Sequence, residues 1–233
     1  MRTVCGWARR IEALVRRGRP AVVPVAAVRV AGPGRPLLSG ELGEQTRAGW
    51  RLDQVDSTTC GSAVLLALAA WADPDELARL DGEPGVRQIA GGRVVGFGTR
   101  YDARQQQVHR QTNRLWPRAL GTTPWAMVAW LGRHVPAAGS YRVRLVDDVH
   151  AADVDAVIAE IEVAVAAGRP VPLLVGALVP RHYVLVLGSA DGGWRVYEPT
   201  SGSARKLDPA LIGAHRLRPV LGFDRLHAAL LPC

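Results

Sequence analysis

Cys60-Gly-Ser-Ala-Val-Leu-Leu-Ala-Leu-Ala-Ala-Trp71 is apolar almost all the way round a helical wheel. A helix without a polar face has to be enclosed on most sides, so this segment is expected to be a central, buried helix. Ser57, Thr58 and Thr59 immediately precede it and are suitable N-cap residues, which puts Cys60 in the first helical turn. Downstream, Asp73-Pro74-Asp75-Glu76 opens a second short helix, with aspartate as cap and proline at the first helical position. After glycine-rich punctuation at Gly82, Gly85 and Gly91-Gly92, residues 101–115 read as a polar helix. Thr123-Pro124 opens another, which carries Trp125, Met127, Val128 and Trp130. The first half is therefore mainly helical.

Upstream of Cys60, residues 36–56 show little period of either kind and read as an approach segment. Residues 3–17 suit a short amphipathic helix, and the β-branched run Val22, Val23, Val25, Val28, Val30 suggests a strand after Pro20, broken by Gly32-Pro33-Gly34. The second half differs. Tyr141 to Val146 alternates as a strand, and Asp153 to Ala167 follows as a helix whose apolar face is Val154, Val157, Ile158, Ile161 and Val165. Gly168 and Pro170 stop it. Three strand-like runs come next, Val171–Val175, His182–Leu187 and Trp194–Tyr197, the last two joined by the hairpin signal Asp191-Gly192-Gly193. Helices first and sheet second predict an α+β fold, with residues 1–49 as an N-terminal extension packed on a main domain spanning 50–233.

The chain has 233 residues, of which 48% are hydrophobic, enough for a substantial core. Its 29 Lys and Arg against 21 Asp and Glu give a net charge of +8, with Lys206 the single lysine. No basic cluster is interleaved with stacking aromatics, so the charge is read as solvated surface and no nucleic-acid partner is expected. Arginines interrupt the N-terminal apolar residues, and Ala21 to Val30 is too short to span a bilayer. A soluble, cytoplasmic protein with no membrane span is expected; the oligomeric state is left open. Cys5, Cys60 and Cys233 form no disulfide framework, and none has a histidine at metal-ligand spacing, so neither metal nor cofactor is expected.

A thiol at a helix N-terminus meets the positive end of the helix dipole and unpaired backbone NH groups, both of which favour the thiolate. Cys60 could be a nucleophile on that ground, but taken alone it reads better as a small buried apolar residue, as free cysteines usually are. Other residues add to the nucleophile reading. Gln54 lies six positions before Cys60, His182 begins an apolar strand, and Glu198 ends the next strand, before Pro199. Adjacent antiparallel strands can bring His182 and Glu198 together, so that the carboxylate holds the imidazole tautomer and stabilises the imidazolium.

In these pieces the sequence resembles the papain-like cysteine peptidases, in particular their bacterial C39-like branch. The pieces are Gln54-Val-Asp-Ser-Thr-Thr-Cys60-Gly61, Gly121-Thr-Thr-Pro124, Gly168-Arg-Pro-Val-Pro172, His182-Tyr-Val-Leu-Val-Leu-Gly188 and Val196-Tyr-Glu198-Pro199-Thr-Ser-Gly202, spread over about residues 50–205. The resemblance implies a papain-like fold, with the nucleophile helix packed on the antiparallel sheet. It implies Cys60 as nucleophile, His182 as general base and acid, Gln54 with the Cys60 backbone NH as oxyanion donors, and a peptide or protein substrate. Glu198 stands where the family usually has aspartate and is expected to orient His182. The same roles serve acyltransferases, transglutaminases and deamidases, and a papain-like domain that has lost activity acts as a binding module.

Remaining polar candidates read as structural. His109, His134, His150, His215 and His227 are expected at the surface or as caps, and Asp147-Asp148 and Asp153-Asp155 as charges favoured at a helix start. Trp71, Trp116, Trp125 and Trp130 are expected to pack the core, while Trp194 stands on a strand near the proposed site.

Overall fold

The computed structural model describes residues 1–15, 36–82, 89–90, 93–113 and 121–233. The strand expected at Val22–Val30, the Gly32-Pro33-Gly34 break and Trp116 lie outside them. The architecture is α+β and divides into two compact units. Among the described residues, the first unit comprises 1–15, 139–198 and 205–233, and the second comprises the remainder of 36–138 with 199–204.

The first unit is built on strands β6 (Tyr141–Leu145), β7 (Val171–Gly176), β8 (Pro180–Ala190), β9 (Gly193–Glu198) and β11 (Arg225–Pro232), with residues 205–207 of β10 (Ser203–Leu207), in the order β10-β9-β8-β7-β11-β6. The β6–β11, β11–β7, β7–β8 and β8–β9 pairings are antiparallel. Helix α6 (Ala151–Ala166) lays Val154, Val157, Ile161 and Val165 on one face of this sheet, against Leu173, Val175, Val184, Val186 and Val196. Short helices α7 (Ala210–Gly213) and α8 (Arg218–Leu221) add Ile212 and Leu221 to that layer. The core strand β11 was not read as a strand from the sequence. β8 and β9 meet at Asp191-Gly192, where Gly192 has φ 71°, the left-handed conformation that a tight hairpin turn asks of a glycine.

Helix α1 (Val4–Val15) is held to the first unit by polar contacts. The Thr3 backbone NH and hydroxyl donate to Asp148 Oδ1 at 3.0 and 2.9 Å, and Arg2 Nε donates to Asp147 Oδ1 at 2.6 Å. Arg225 also pairs with Asp148. Burial would raise the Asp148 carboxyl, but the Thr3 hydrogen bonds and the Arg225 charge outweigh it and hold the group below the usual carboxylate range. These aspartates, expected only to flank a helix start, thus also fasten the N-terminus.

In the second unit α2 (Cys60–Ala72) is the centre, with every residue buried except Trp71. Helices α3 (Pro74–Asp81), α4 (Phe97–Thr112) and α5 (Pro124–His134), with a 3-10 turn at Pro136–Ala138, pack on it. Short strands complete the unit: β1 (Gly43–Glu44), β2 (Thr46–Arg47) with β3 (Trp50–Arg51), and β4 (Ile89–Ala90) with β5 (Arg93–Val94). β1 pairs antiparallel with the first two residues of β10, Gly43↔Ala204 and Glu44↔Ser203, and these four residues all belong to the second unit. Glu76 on α3 receives Arg104 of α4 through both of its oxygens, at 2.6 and 3.1 Å, and Arg79 at 2.8 Å.

Trp130 is buried as expected, but Trp125 is 59% exposed, as are Trp7 at 56% and Trp50 at 44%. Helical spacing identified an apolar face for Trp125 that the fold leaves outside. His150 caps α6 by accepting from the Asp153 NH, whereas His109 and His227 are buried rather than superficial. His227 Nε2 lies 3.2 Å from the Ala177 carbonyl, and burial lowers its tendency to carry charge.

Candidate functional site

Cys60 is the first residue of α2 and is buried, with Thr59 at the N-cap position. The expectation that a hydroxyl caps this helix is not met, because Thr59 is engaged in the approach loop instead. Its Oγ accepts from the Asp56 NH and donates to the Asp56 carbonyl, both at 3.0 Å. Asp56 Oδ1 in turn accepts from the NH and the hydroxyl of Thr58, at 2.8 and 2.7 Å. Burial would raise the Asp56 carboxyl, but the Thr58 bonds, with the nearby His109, hold it low. Thr59 therefore gives the α2 N-terminus no side-chain cap hydrogen bond.

Gln54 stands at the start of the same loop. Its Nε2 donates to the Asp56 carbonyl at 2.8 Å, its Oε1 accepts from the Thr200 hydroxyl at 3.3 Å, and its backbone NH donates to the Pro199 carbonyl at 2.8 Å. An amide held through its oxygen points its NH2 group in a fixed direction, and one of the two N–H bonds is already used by Asp56. Gln105 Nε2 of α4 fixes the preceding carbonyl, of Asp53, at 2.9 Å.

In the first unit the sheet register brings His182 and Glu198 together. Leu185 pairs with Tyr197 and Val186 with Val196, so the next step of this register sets Glu198 opposite Val184. Side chains of one strand alternate in direction, which puts His182 and Val184 on one face, and His182 becomes the diagonal neighbour of Glu198. A diagonal is longer than a direct cross-strand pair, and the glutamate spans it: His182 Nε2 lies 2.8 Å from Glu198 Oε1. Both side chains are nearly inaccessible, at 7% and 6%. The extra methylene relative to aspartate is what this register uses.

Two neighbours of the pair were missed in the sequence. Arg205 on β10 approaches the other carboxylate oxygen, Glu198 Oε2, at 3.7 Å while its NH1 donates to the Val220 carbonyl at 2.7 Å. Phe223, just after α8, tilts its ring against His182 with centroids 6.0 Å apart. Alternation along Ser203–Leu207 would have pointed to Arg205 had that strand been recognised; Phe223 carries no sequence signal for its role. Trp194, by contrast, is 2% exposed and packs in the apolar core of this unit rather than lining a surface.

Cys5 on α1 is raised to about 11, first by burial and then by the negative charge of Asp148, so at neutral pH it is overwhelmingly the unreactive thiol. Among the described residues no group of three or more His, Cys, Asp or Glu is disposed to hold a metal ion, and no helix is long and apolar enough to cross a membrane. No protein-family model matches the chain, and neither a curated protein nor a solved structure matches it.

Proposed function

We propose that the chain is a papain-like cysteine hydrolase that cleaves an amide bond in a peptide or protein through a thioester. The observation that carries this reading is the buried hydrogen bond of His182 Nε2 with Glu198 Oε1. A histidine sealed against a carboxylate inside a sheet has a fixed ring orientation and a counter-charge for its protonated form, which is what a general base for a thiol needs. Cys60 at the head of a buried helix supplies the nucleophile.

The Cys60 thiolate attacks the carbonyl carbon, and the electron pair displaced onto oxygen is met by the Cys60 backbone NH and by an N–H of Gln54. An oxyanion donor of this type is worth on the order of 3 kcal/mol of barrier. With Nε2 turned to Glu198, Nδ1 of His182 is the nitrogen assigned to proton transfer. It hands its proton to the leaving amine as the C–N bond breaks. It then takes one from the water that attacks the thioester, the carboxylic acid departs, and Cys60 is restored.

Incubating the protein with a peptide library and reading new termini by mass spectrometry tests the reaction class. Wild type is expected to generate new termini at a restricted set of sequences, and Cys60→Ala none. A gain of about one mass unit on glutamine residues without cleavage would make the chain a deamidase, since replacing NH2 by OH leaves the backbone whole. An unchanged library would support a binding module.

A further inference from the structure

Helix α1 is amphipathic, and it is mounted with its apolar side outward. Val4, Trp7, Ile11 and Leu14 recur at spacings of three, four and three residues and so form one stripe along the helix. They are 57, 56, 60 and 55% exposed, although amphipathic surface helices ordinarily turn such a stripe to the core. The opposite side is the one that faces the protein. Thr3 and Gly6 are buried, and a Cβ on Gly6 would stand 2.8 Å from Asp148 Oδ1. Thr3 with Asp148, Arg2 with Asp147 and Arg9 with Asp153 fix the helix in this orientation. The outward placement is therefore held by specific polar bonds, on a glycine that permits close approach.

The stripe is continuous with a second apolar feature. The Val4 NH donates to the Leu178 carbonyl at 3.1 Å, at the tip between β7 and β8, where Leu178 and Val179 are 38 and 50% exposed. Arg2 and Arg9 are paired with Asp147 and Asp153. In sequence the segment is basic: residues 1–20 contain six arginines, at 2, 9, 10, 16, 17 and 19, and one acid, Glu12, a net of +5 before the terminal amine is counted. The Arg2 guanidinium lies over the Trp7 ring, 5.0 Å from its centroid, and Arg10 is exposed beside the stripe.

We infer that α1 is a docking element for an anionic lipid surface, lying in the interface with Val4, Trp7, Ile11 and Leu14 immersed and its arginines on the headgroup phosphates. An apolar stripe bearing a tryptophan, on a helix in a strongly basic stretch of sequence, has the properties of an interfacial helix. A second copy of the chain fits the same face less well, because it would set two segments of net positive sequence against each other. The inference does not depend on the hydrolase reading, since none of its residues takes part in that chemistry.

Flotation of the full chain with vesicles tests it. Binding is expected to vesicles of equal parts phosphatidylcholine and phosphatidylserine and to fall by about tenfold or more on pure phosphatidylcholine or at high salt. The double variant Ile11→Asp, Leu14→Asp alters only exposed positions and should lose binding while keeping the wild-type circular dichroism spectrum. Failure of the wild type to float with anionic vesicles, equal binding to both compositions, or equal binding by the variant would overturn the inference. So would a wild-type dimer in sedimentation that the same variant converts to monomer, since the stripe would then belong to a second copy.

Discussion

On the proposed hydrolase reading, a chain carrying Glu198→Gln is expected to cleave its peptides about 10^4-fold more slowly than the wild type while remaining folded, because removing the carboxylate from a nucleophile–histidine–carboxylate system costs about that much. The amide preserves shape and can still meet His182 Nε2, so the loss isolates the charge and the tautomer preference. Glu198 Oε1 is 2.8 Å from that nitrogen, and no bulk water intervenes between two side chains that are 7% and 6% exposed. The neutral partner therefore leaves the imidazolium unsupported in a medium of low dielectric constant. Arg205, at 3.7 Å from Glu198 Oε2, is 38% exposed and can turn to water, so the variant should not unfold on its account. A loss of less than about tenfold would remove Glu198 from the mechanism and leave its bond to His182 a structural one.

The largest effect on stability is expected at Glu76. Its side chain is 3% exposed and lies between Arg104 of α4 and Arg79 of its own helix. Burial alone would raise its carboxyl, but the hydrogen bonds from Arg104 and Arg79 and their charges overcome this and hold it below the usual range. A carboxylate lowered on folding contributes stability that is present above the unfolded value of about 4.3 and is lost as pH falls through the folded value. Glu76→Ala leaves Arg104, 24% exposed, without its counter-ion and should cost about 3 to 5 kcal/mol in urea unfolding at pH 7. The difference between variant and wild type should begin to shrink as pH falls below the unfolded value of about 4.3 and vanish only below the lower folded value, where the wild-type carboxylate is itself protonated. A cost under about 1 kcal/mol, or one independent of pH, would show that the α3 to α4 contact rests on apolar packing alone.

The parts of this architecture that were legible in the sequence are those set by local chemistry. Asp73 and Thr123, each followed by proline, open helices through side-chain bonds to the Asp75 and Ala126 NH groups, at 2.9 and 3.2 Å. The wholly apolar run from Cys60 could be nothing but buried, and it forms α2 with Cys60 at its head. His182 and Glu198 were legible as neighbours because a hairpin turn fixes register over a few residues. What depends on distant pairing was not legible. β11, Arg-Leu-His-Ala-Ala-Leu-Leu-Pro, sits between β7 and β6 and is buried on both faces, so it neither alternates nor carries β-branched residues. β10 is five residues long, and missing it hid Arg205. The outward face of α1 was hidden for the same reason: periodicity identifies a stripe, and only the tertiary bonds of Thr3, Arg2 and Arg9 decide which way it turns.

The central claim, that Cys60 is a nucleophile activated by His182, is tested most directly by a time course of alkylation with iodoacetamide near neutral pH, read peptide by peptide in wild type and in His182→Ala. Cys5, raised to about 11, should label slowest in both proteins. Cys233, at the partly exposed C-terminal end, sets the rate for a thiol whose reactivity comes from access alone. The account predicts that buried Cys60 nevertheless labels first in the wild type, and that its rate falls by about tenfold or more in His182→Ala while Cys233 is unchanged. If Cys60 lags behind Cys233, or if its rate ignores the loss of His182, the two do not form a working pair and the hydrolase reading is contradicted.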